Sequence, residues 1–158
     1  MWKGEVVSVH IAHEAEQPMQ AFEEILAVAG KGIEGDRYFK GEDFFSKNKG
    51  PHRQVTLFES EVLETLKRDD DFELSADECR MNIITCEVPP THLVGKTFRA
   101  GGATLRGVRL NEPCEHLEEV TGKRVVKLLL HRCGLFAEVL EGGVIRPGDP
   151  VSEEGESS

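Results

Sequence analysis

The sequence holds only four cysteines, Cys79, Cys86, Cys114 and Cys133. No two of them form a CxxC pair, and their spacing matches no structural zinc frame. No signal-peptide pattern stands at the N-terminus, so the expectation is of reduced thiols in a cytoplasmic protein. No apolar run approaches the length of a membrane span. Basic runs and arms are missing too, and the formal net charge is -10. That balance argues against nucleic acid and anionic membrane surfaces as partners. It leaves room for one small anion, where a few basic side chains converge locally. No internal repeat is visible.

Enough apolar material is present for an ordered fold. At 158 residues and 39% hydrophobic content, the chain can bury one core without disulfides. The reading is one domain over residues 1–151, followed by an acidic, small-residued tail, 152–158, expected to be disordered. Lys3 to Ala12 reads as a strand, with Val7, Val9 and Ile11 on one face and Val6, Ser8 and His10 on the other. Met19 to Val28 is a strand or mixed segment. Lys31 to Tyr38 is a loop whose glycines allow backbone N–H groups to approach an anion. Phe39 to Pro51 reads as a flap, with Phe44 and Phe45 in need of a partner surface or a ligand. Arg53 to Phe58 is a strand and Ser60 to Arg68 a helix, with Val62, Leu63 and Leu66 on one stripe. The acid run Asp69-Asp70-Asp71 ends that helix, as a solvated turn or as carboxylates for a divalent metal.

Cys79 to Glu87 reads as a buried strand, in which Arg80, Asn82, Ile84 and Cys86 share a face. An Arg and an Asn on such a face need partners, either structural ones or a ligand. Leu93 to Arg99 and Ala103 to Leu110 form a hairpin about Gly101-Gly102. Arg124 to Leu130 is a short helix and Gly134 to Leu140 a strand. A turn at 141–143 leads into Val144-Ile145, and a last short strand lies at Val151. Many short strands and few short helices predict a β-rich, barrel-like domain.

Glu112 to Val120 is the stretch with most chemistry. Pro113 suits the start of a helix, on which Leu117 and Val120 share a face, and this puts Cys114 near the helix N-terminus. The dipole there favours a thiolate, the form that ligates metal or attacks sulfur. Glu112, Glu115 and Glu118 act the other way. A half-buried structural cysteine is the plain alternative. A zinc site from Cys114, His116 and another histidine is a further one, on a loose Cys-x-His spacing.

Taken in order, Gly32-Ile33-Glu34-Gly35-Asp36-Arg37, Arg80-Met81-Asn82-Ile83, Val94-Gly95-Lys96-Thr97-Phe98, Pro113-Cys114, Gly134 to Leu140 and Ile145 to Asp149 resemble the MOSC domain. That module is the C-terminal domain of molybdenum-cofactor sulfurases; it also occurs in mitochondrial amidoxime-reducing proteins and in stand-alone bacterial proteins. The resemblance runs from about Gly4 to Val151. It implies a mixed β-barrel similar to the barrel domain of pyruvate kinase, within a β-rich α/β class. It also implies a pocket for the molybdenum cofactor (molybdopterin), an anionic pterin with a dithiolene and a phosphate. Cys114 then corresponds to the family cysteine, as metal ligand or sulfur carrier, and Arg80 and Asn82 to the strand motif near the cofactor, with Arg37 and Lys96 as further positive charge. Implied activities are reduction of N-hydroxylated compounds or sulfur transfer to the cofactor, with an electron-donor protein or a sulfurase or molybdoenzyme as partner. A non-catalytic cofactor carrier is the alternative. Pyridoxal phosphate binding is associated with the family as a whole. The 158 residues read here carry neither the N-terminal β-barrel domain that accompanies the amidoxime reductases nor the aminotransferase-like domain of the sulfurases, so neither full activity is expected from them.

Overall fold

The strand-like runs close on themselves. The computed structural model describes residues 2–14, 17–40, 54–111 and 133–153. Its strands are β1 (Gly4–Ile11), β2 (Gln20–Phe22), β3 (Ile25–Val28), β4 (Gly32–Ile33), β5 (Val55–Glu59), β6 (Ile83–Cys86), β7 (Thr97–Ala100), β8 (Ala103–Leu110), β9 (Leu135–Glu141), β10 (Gly143–Ile145) and β11 (Pro150–Glu153). Seven of them form a ring in the order β11, β7, β8, β9, β5, β6, β1, which closes where β1 pairs with β11. β2 extends the sheet beyond β1, and β10, β3 and β4 make a second small sheet. The expected strand-rich barrel is therefore the fold. Ring closure leaves few unpaired edges.

All ring neighbours run antiparallel except β5 and β6, which are parallel. A parallel pair needs a crossover, and helix α2 (Ser60–Asp70) supplies it. The helix forms two residues longer than its expected span and stops at Asp71, in a left-handed conformation at φ 50°. Strand alternation sorts two cores. Leu57 and Ile83 point into the barrel with Val9, Phe98, Leu105 and Leu135. Phe58 and Ile84, one residue on, point outward under Val62 and Leu66 of α2.

Two departures from simple alternation matter. A bulge between Val6 and Ser8 shifts β1 by one residue against β6, so Val6, Val9 and Ile11 are buried together while Val7 is exposed. β10 pairs with β3 rather than folding back on β9. At the start of β9 the backbone of Gly134 has φ +94°, and a Cβ there would lie 2.3 Å from the Leu57 carbonyl oxygen. Only glycine allows that approach. Ser152 and Glu153, expected in the tail, belong to β11 instead. Phe39 and Lys40, expected in the flap from Phe39 to Pro51, belong to a short helix instead; the rest of the flap, with Phe44 and Phe45, both helices expected between Glu112 and Arg132, and residues 154–158 of the tail lie outside the described residues.

Candidate functional site

The expected strand from Cys79 begins only at Ile83. Before it, Asp77–Cys79 is one turn of 3-10 helix, capped by Arg80 at φ 59°. Arg80 and Asn82 therefore do not share a strand face, and the alternation argument for a common cavity fails. The αL residue redirects the chain and sends the buried Arg80 side chain to the Gln17 carbonyl oxygen. Asn82 turns into the sheet. Its Oδ1 accepts from the Thr56 backbone N–H at 3.1 Å and from the Thr56 hydroxyl at 3.2 Å, and its Nδ2 donates to the His10 carbonyl at 3.2 Å. This fully buried amide ties β5 to β1 just where β6 has not yet begun to pair them.

Arg37 reaches the same place from the glycine loop. Its N–H donates to the Ala12 carbonyl at 2.7 Å, which docks the start of α1 (Arg37–Lys40) on the end of β1. Asp36, wholly buried, accepts from the Ala12 N–H at 3.1 Å and from Arg37 Nη1 at 3.3 Å. Arg37 Nη2 donates to the Arg80 carbonyl at 3.1 Å. Arg37 thus braces the main chain that carries Arg80, while Asp36 balances its charge. The structure brings Arg37, Arg80 and Asn82 into one neighbourhood. It does not bring Lys96 there. Lys96 precedes β7, on the far side of the ring from β6, and its side chain is exposed.

Further residues of this neighbourhood carried no role in the sequence reading. The Arg37 guanidinium lies over the Tyr38 ring at 4.4 Å, and Tyr38 meets Phe136 edge-on at 6.3 Å. On the adjoining strand Arg109, cross-strand partner of Phe136, lies over the Phe136 ring at 4.6 Å. One signal was available: in β8 the charges at Arg106 and Arg109 are three apart, which breaks a period of two and marks the register shift between Gly107 and Arg109. On the other side, His10 is buried, with Ser8 Oγ 2.7 Å from its Nε2 and Asp77 Oδ1 2.8 Å from its Nδ1, the latter poorly aligned for a hydrogen bond. Burial lowers the His10 pKa, and Asp77 partly opposes that.

Cys114 and His116 lie outside the described residues, but both ends of the segment that contains them are described. Asn111 follows β8, its N–H donates to the Gly134 carbonyl at 2.8 Å, and its Nδ2 donates to the Cys133 carbonyl at 3.1 Å. Cys133 packs in the same apolar cluster as Cys79 and Met81, the neighbours of Arg80. The segment thus leaves and re-enters the barrel beside the arginine cluster. The settings of Cys79 and Cys86 disfavour a thiolate. Burial first, then the charge of Cys133 and of Glu78 and Asp77, pushes the Cys79 thiol far up. Burial and the carboxylates of Glu61, Glu5 and Glu87 raise Cys86, and Cys133 is 1% exposed. Among the described residues no group of His, Cys, Asp or Glu is placed to hold a metal ion, and no helix is long and apolar enough to cross a membrane.

The MOSC domain profile matches residues 45–152. Among solved structures, the YuaD protein from Bacillus subtilis superposes with a TM-score of 0.78 at 18% identity, over 96% of this chain and 97% of that one. YiiM from Geobacillus stearothermophilus gives 0.70 at 15% identity, over 95% and 74%, and YiiM from Escherichia coli 0.66 at 16%, over 98% and 71%. These likenesses concern the fold. No curated protein matches the chain.

Proposed function

The chain belongs to the MOSC domain family, and from that premise we propose that it binds the molybdenum cofactor beside Arg80, with Cys114 as the protein's sulfur ligand or sulfur carrier. The observation that carries this reading is the convergence of Arg37 and Arg80 next to Asn111 and Cys133, the two ends of the segment bearing Cys114. The donor set fits the group. Arginines grip phosphate oxygens with paired hydrogen bonds, and a thiolate suits a thiophilic metal. Arg80 is the residue for the anionic part of the cofactor. Arg37 and Asn82 contribute by fixing the backbone on either side of it. Lys96 stands apart from this group and adds only general positive charge.

When bound, the cofactor would supply two-electron chemistry at an N–O bond or accept a sulfur atom. The protein's share is to hold the anion, present one thiolate and keep its other thiols protonated. The raised thiol pKa of Cys79 and Cys86 and the burial of Cys133 support a reading with one reactive cysteine. In the reductase form a separate electron-donor protein is required; in the sulfur-transfer form the partner is a sulfurase or molybdoenzyme. The test is elemental analysis of anaerobically purified protein, together with fluorescence of the oxidised pterin released from it. Molybdenum and pterin in equal amounts support the reading, and turnover of an N-hydroxylated base with an artificial reductant then separates enzyme from carrier. Reconstituted protein that retains neither molybdenum nor pterin overturns it.

A further inference from the structure

We propose that Ser8, His10 and Asp77 form a nucleophile, base and carboxylate relay, in which Ser8 takes an acyl group from small activated esters. The inference is independent of the cofactor reading. Ser8 and His10 stand two residues apart in β1, and Asp77 comes from the 3-10 turn Asp77–Cys79. Ser8 Oγ lies 2.7 Å from His10 Nε2, and Asp77 Oδ1 lies 2.8 Å from His10 Nδ1. A carboxylate only accepts, so Nδ1 carries the ring proton and the Nε2 lone pair faces the Ser8 hydroxyl. That hydroxyl then donates to a base, the arrangement that activates an alcohol as a nucleophile. The Asp77 contact is short but out of line. The Asp77 side chain is 54% exposed, and its carboxylate can turn into line as such bonds do when a substrate arrives.

Each member is held in place. The His10 N–H donates to the Asn82 carbonyl at 2.7 Å, and the His10 carbonyl accepts from Asn82 Nδ2 at 3.2 Å. The Asp77 carbonyl accepts from the Arg80 N–H at 3.3 Å, which closes the turn that presents the Asp77 side chain. The bulge between Val6 and Ser8 sets Ser8 opposite Ile84, whose side chain points out of the barrel. Ser8 shares that outer face and is half-buried, within reach of a small solute. His10 is buried and its pKa is lowered, so near pH 7 the ring is neutral and able to take a proton. The Ser75 hydroxyl, by contrast, accepts from the Glu78 N–H at 3.2 Å. In the reaction the Ser8 Oγ–carbon bond forms as the ester C–O bond breaks, and the Ser8 proton passes to Nε2 and on to the departing oxygen. Water then attacks the acyl-serine, gives its proton to Nε2 and releases the acid. Water around Ser8 also meets the charge on the carbonyl oxygen, which confines the reaction to esters with good leaving groups.

The test uses the full chain and two reagents: an alkyl fluorophosphonate, which loses fluoride to an activated serine hydroxyl, and para-nitrophenyl acetate. Peptide mass mapping locates the phosphonate. It should attach at Ser8 about 100-fold faster than at any other serine, within the range of general base catalysis. Ser8→Ala should lose that adduct and keep the fold, and His10→Gln should slow labelling of Ser8 by a similar factor. Wild type should release nitrophenol faster than Ser8→Ala, and phosphonate pretreatment should abolish the difference. Asp77 is a positioning residue, so Asp77→Asn should slow labelling without stopping it. The wild-type rate should rise with pH through the His10 pKa, which lies below 6.5, and then level off. In Asp77→Asn that rise should move to lower pH, because Asp77 is the charge that raises the His10 pKa; a purely structural Asp77 would leave its midpoint in place. An unlabelled Ser8 in folded wild-type protein overturns the proposal, whether or not the variants fold. So does labelling of Ser8 in His10→Gln within twofold of the wild-type rate, or equal nitrophenol release by wild type and Ser8→Ala.

Discussion

Replacing Asn82 by alanine separates a structural strap from a ligand contact. The wild-type amide is fully buried and serves the backbone of two strands: it accepts from Thr56 N–H and donates to the His10 carbonyl. Alanine leaves two buried donors, the Thr56 N–H and hydroxyl, and one buried acceptor, the His10 carbonyl, without that partner, of which the hydroxyl can turn to another. Each such group costs roughly 1–3 kcal/mol, and water entering the small space left behind recovers part of it. About 3 kcal/mol is therefore the expected loss, a large share of the roughly 5–15 kcal/mol by which domains of this kind are stable. In urea, with a slope of about 1–3 kcal/mol per molar, the midpoint should fall by about 1–3 M. Asn82→Asp should do no better, because it keeps the acceptor, loses the donor to His10 and buries a charge. The assay is equilibrium unfolding by far-ultraviolet circular dichroism, with ligand binding measured on the folded fraction. A loss below about 1 kcal/mol, alongside abolished binding of phosphorylated pterin, would refute the strap and return Asn82 to the ligand.

Three more outcomes are expected. Asp36→Ala leaves the Arg37 guanidinium buried without its carboxylate, so thermal denaturation should show a loss of about 3–5 kcal/mol, and Asp36→Asn a smaller one; near-wild-type melting of Asp36→Ala would count against the brace. His10 has its pKa lowered from 6.5 by burial, so the folded state resists a proton that the unfolded chain accepts. Its stability is complete above pH 6.5 and falls as the solution is acidified toward the lower folded value; His10→Gln should flatten that part of the profile, and an unchanged slope would show that another group sets it. Limiting alkylating reagent should label Cys114 before Cys79, Cys86 and Cys133, and Cys114→Ser should keep the melting temperature while losing molybdenum or sulfur loading. Equal labelling of all four thiols would contradict this ordering.

The barrel was legible because it depends on periodicity. Ala103 to Leu110, the Gly101-Gly102 turn, the Ser60 helix and the strand after Gly134 carry their patterns within a few residues of sequence. The site was harder to read because it sits where the pattern stops. Arg80 takes a left-handed backbone, a conformation rare enough for a non-glycine residue that strand alternation was the natural reading of Cys79 to Glu87. The bulge at Val7 reassigned Val6 to the interior, which no composition rule signals, since Val6 and Val7 are the same residue type. Pairings between distant segments, such as Arg37 with the Arg80 carbonyl or Arg109 with Phe136, leave no mark in local sequence.

The buried polar residues trace one seam through the molecule. Asp36 bonds the backbone N–H of Ala12, Asn82 that of Thr56, and Gln54 that of Val139, at 3.1, 3.1 and 2.8 Å. Each takes a backbone donor where an irregular segment meets the ring, and a buried donor left unmet is costly. A barrel closed entirely by strand ladders would have no need of such side chains. It would also have no break at which a loop could hold Arg80 out of strand geometry. The straps and the arginines are therefore two parts of one arrangement. The polar side chains make an opening in the ladder stable, and at that opening Arg80 reaches the Gln17 carbonyl while Arg37 holds the Arg80 carbonyl. Asp36 and Asn82 would then govern ligand binding through the backbone they hold. Their loss should weaken it in proportion to the disorder introduced at Arg80, whereas loss of Arg80 itself should remove binding and leave the fold in place.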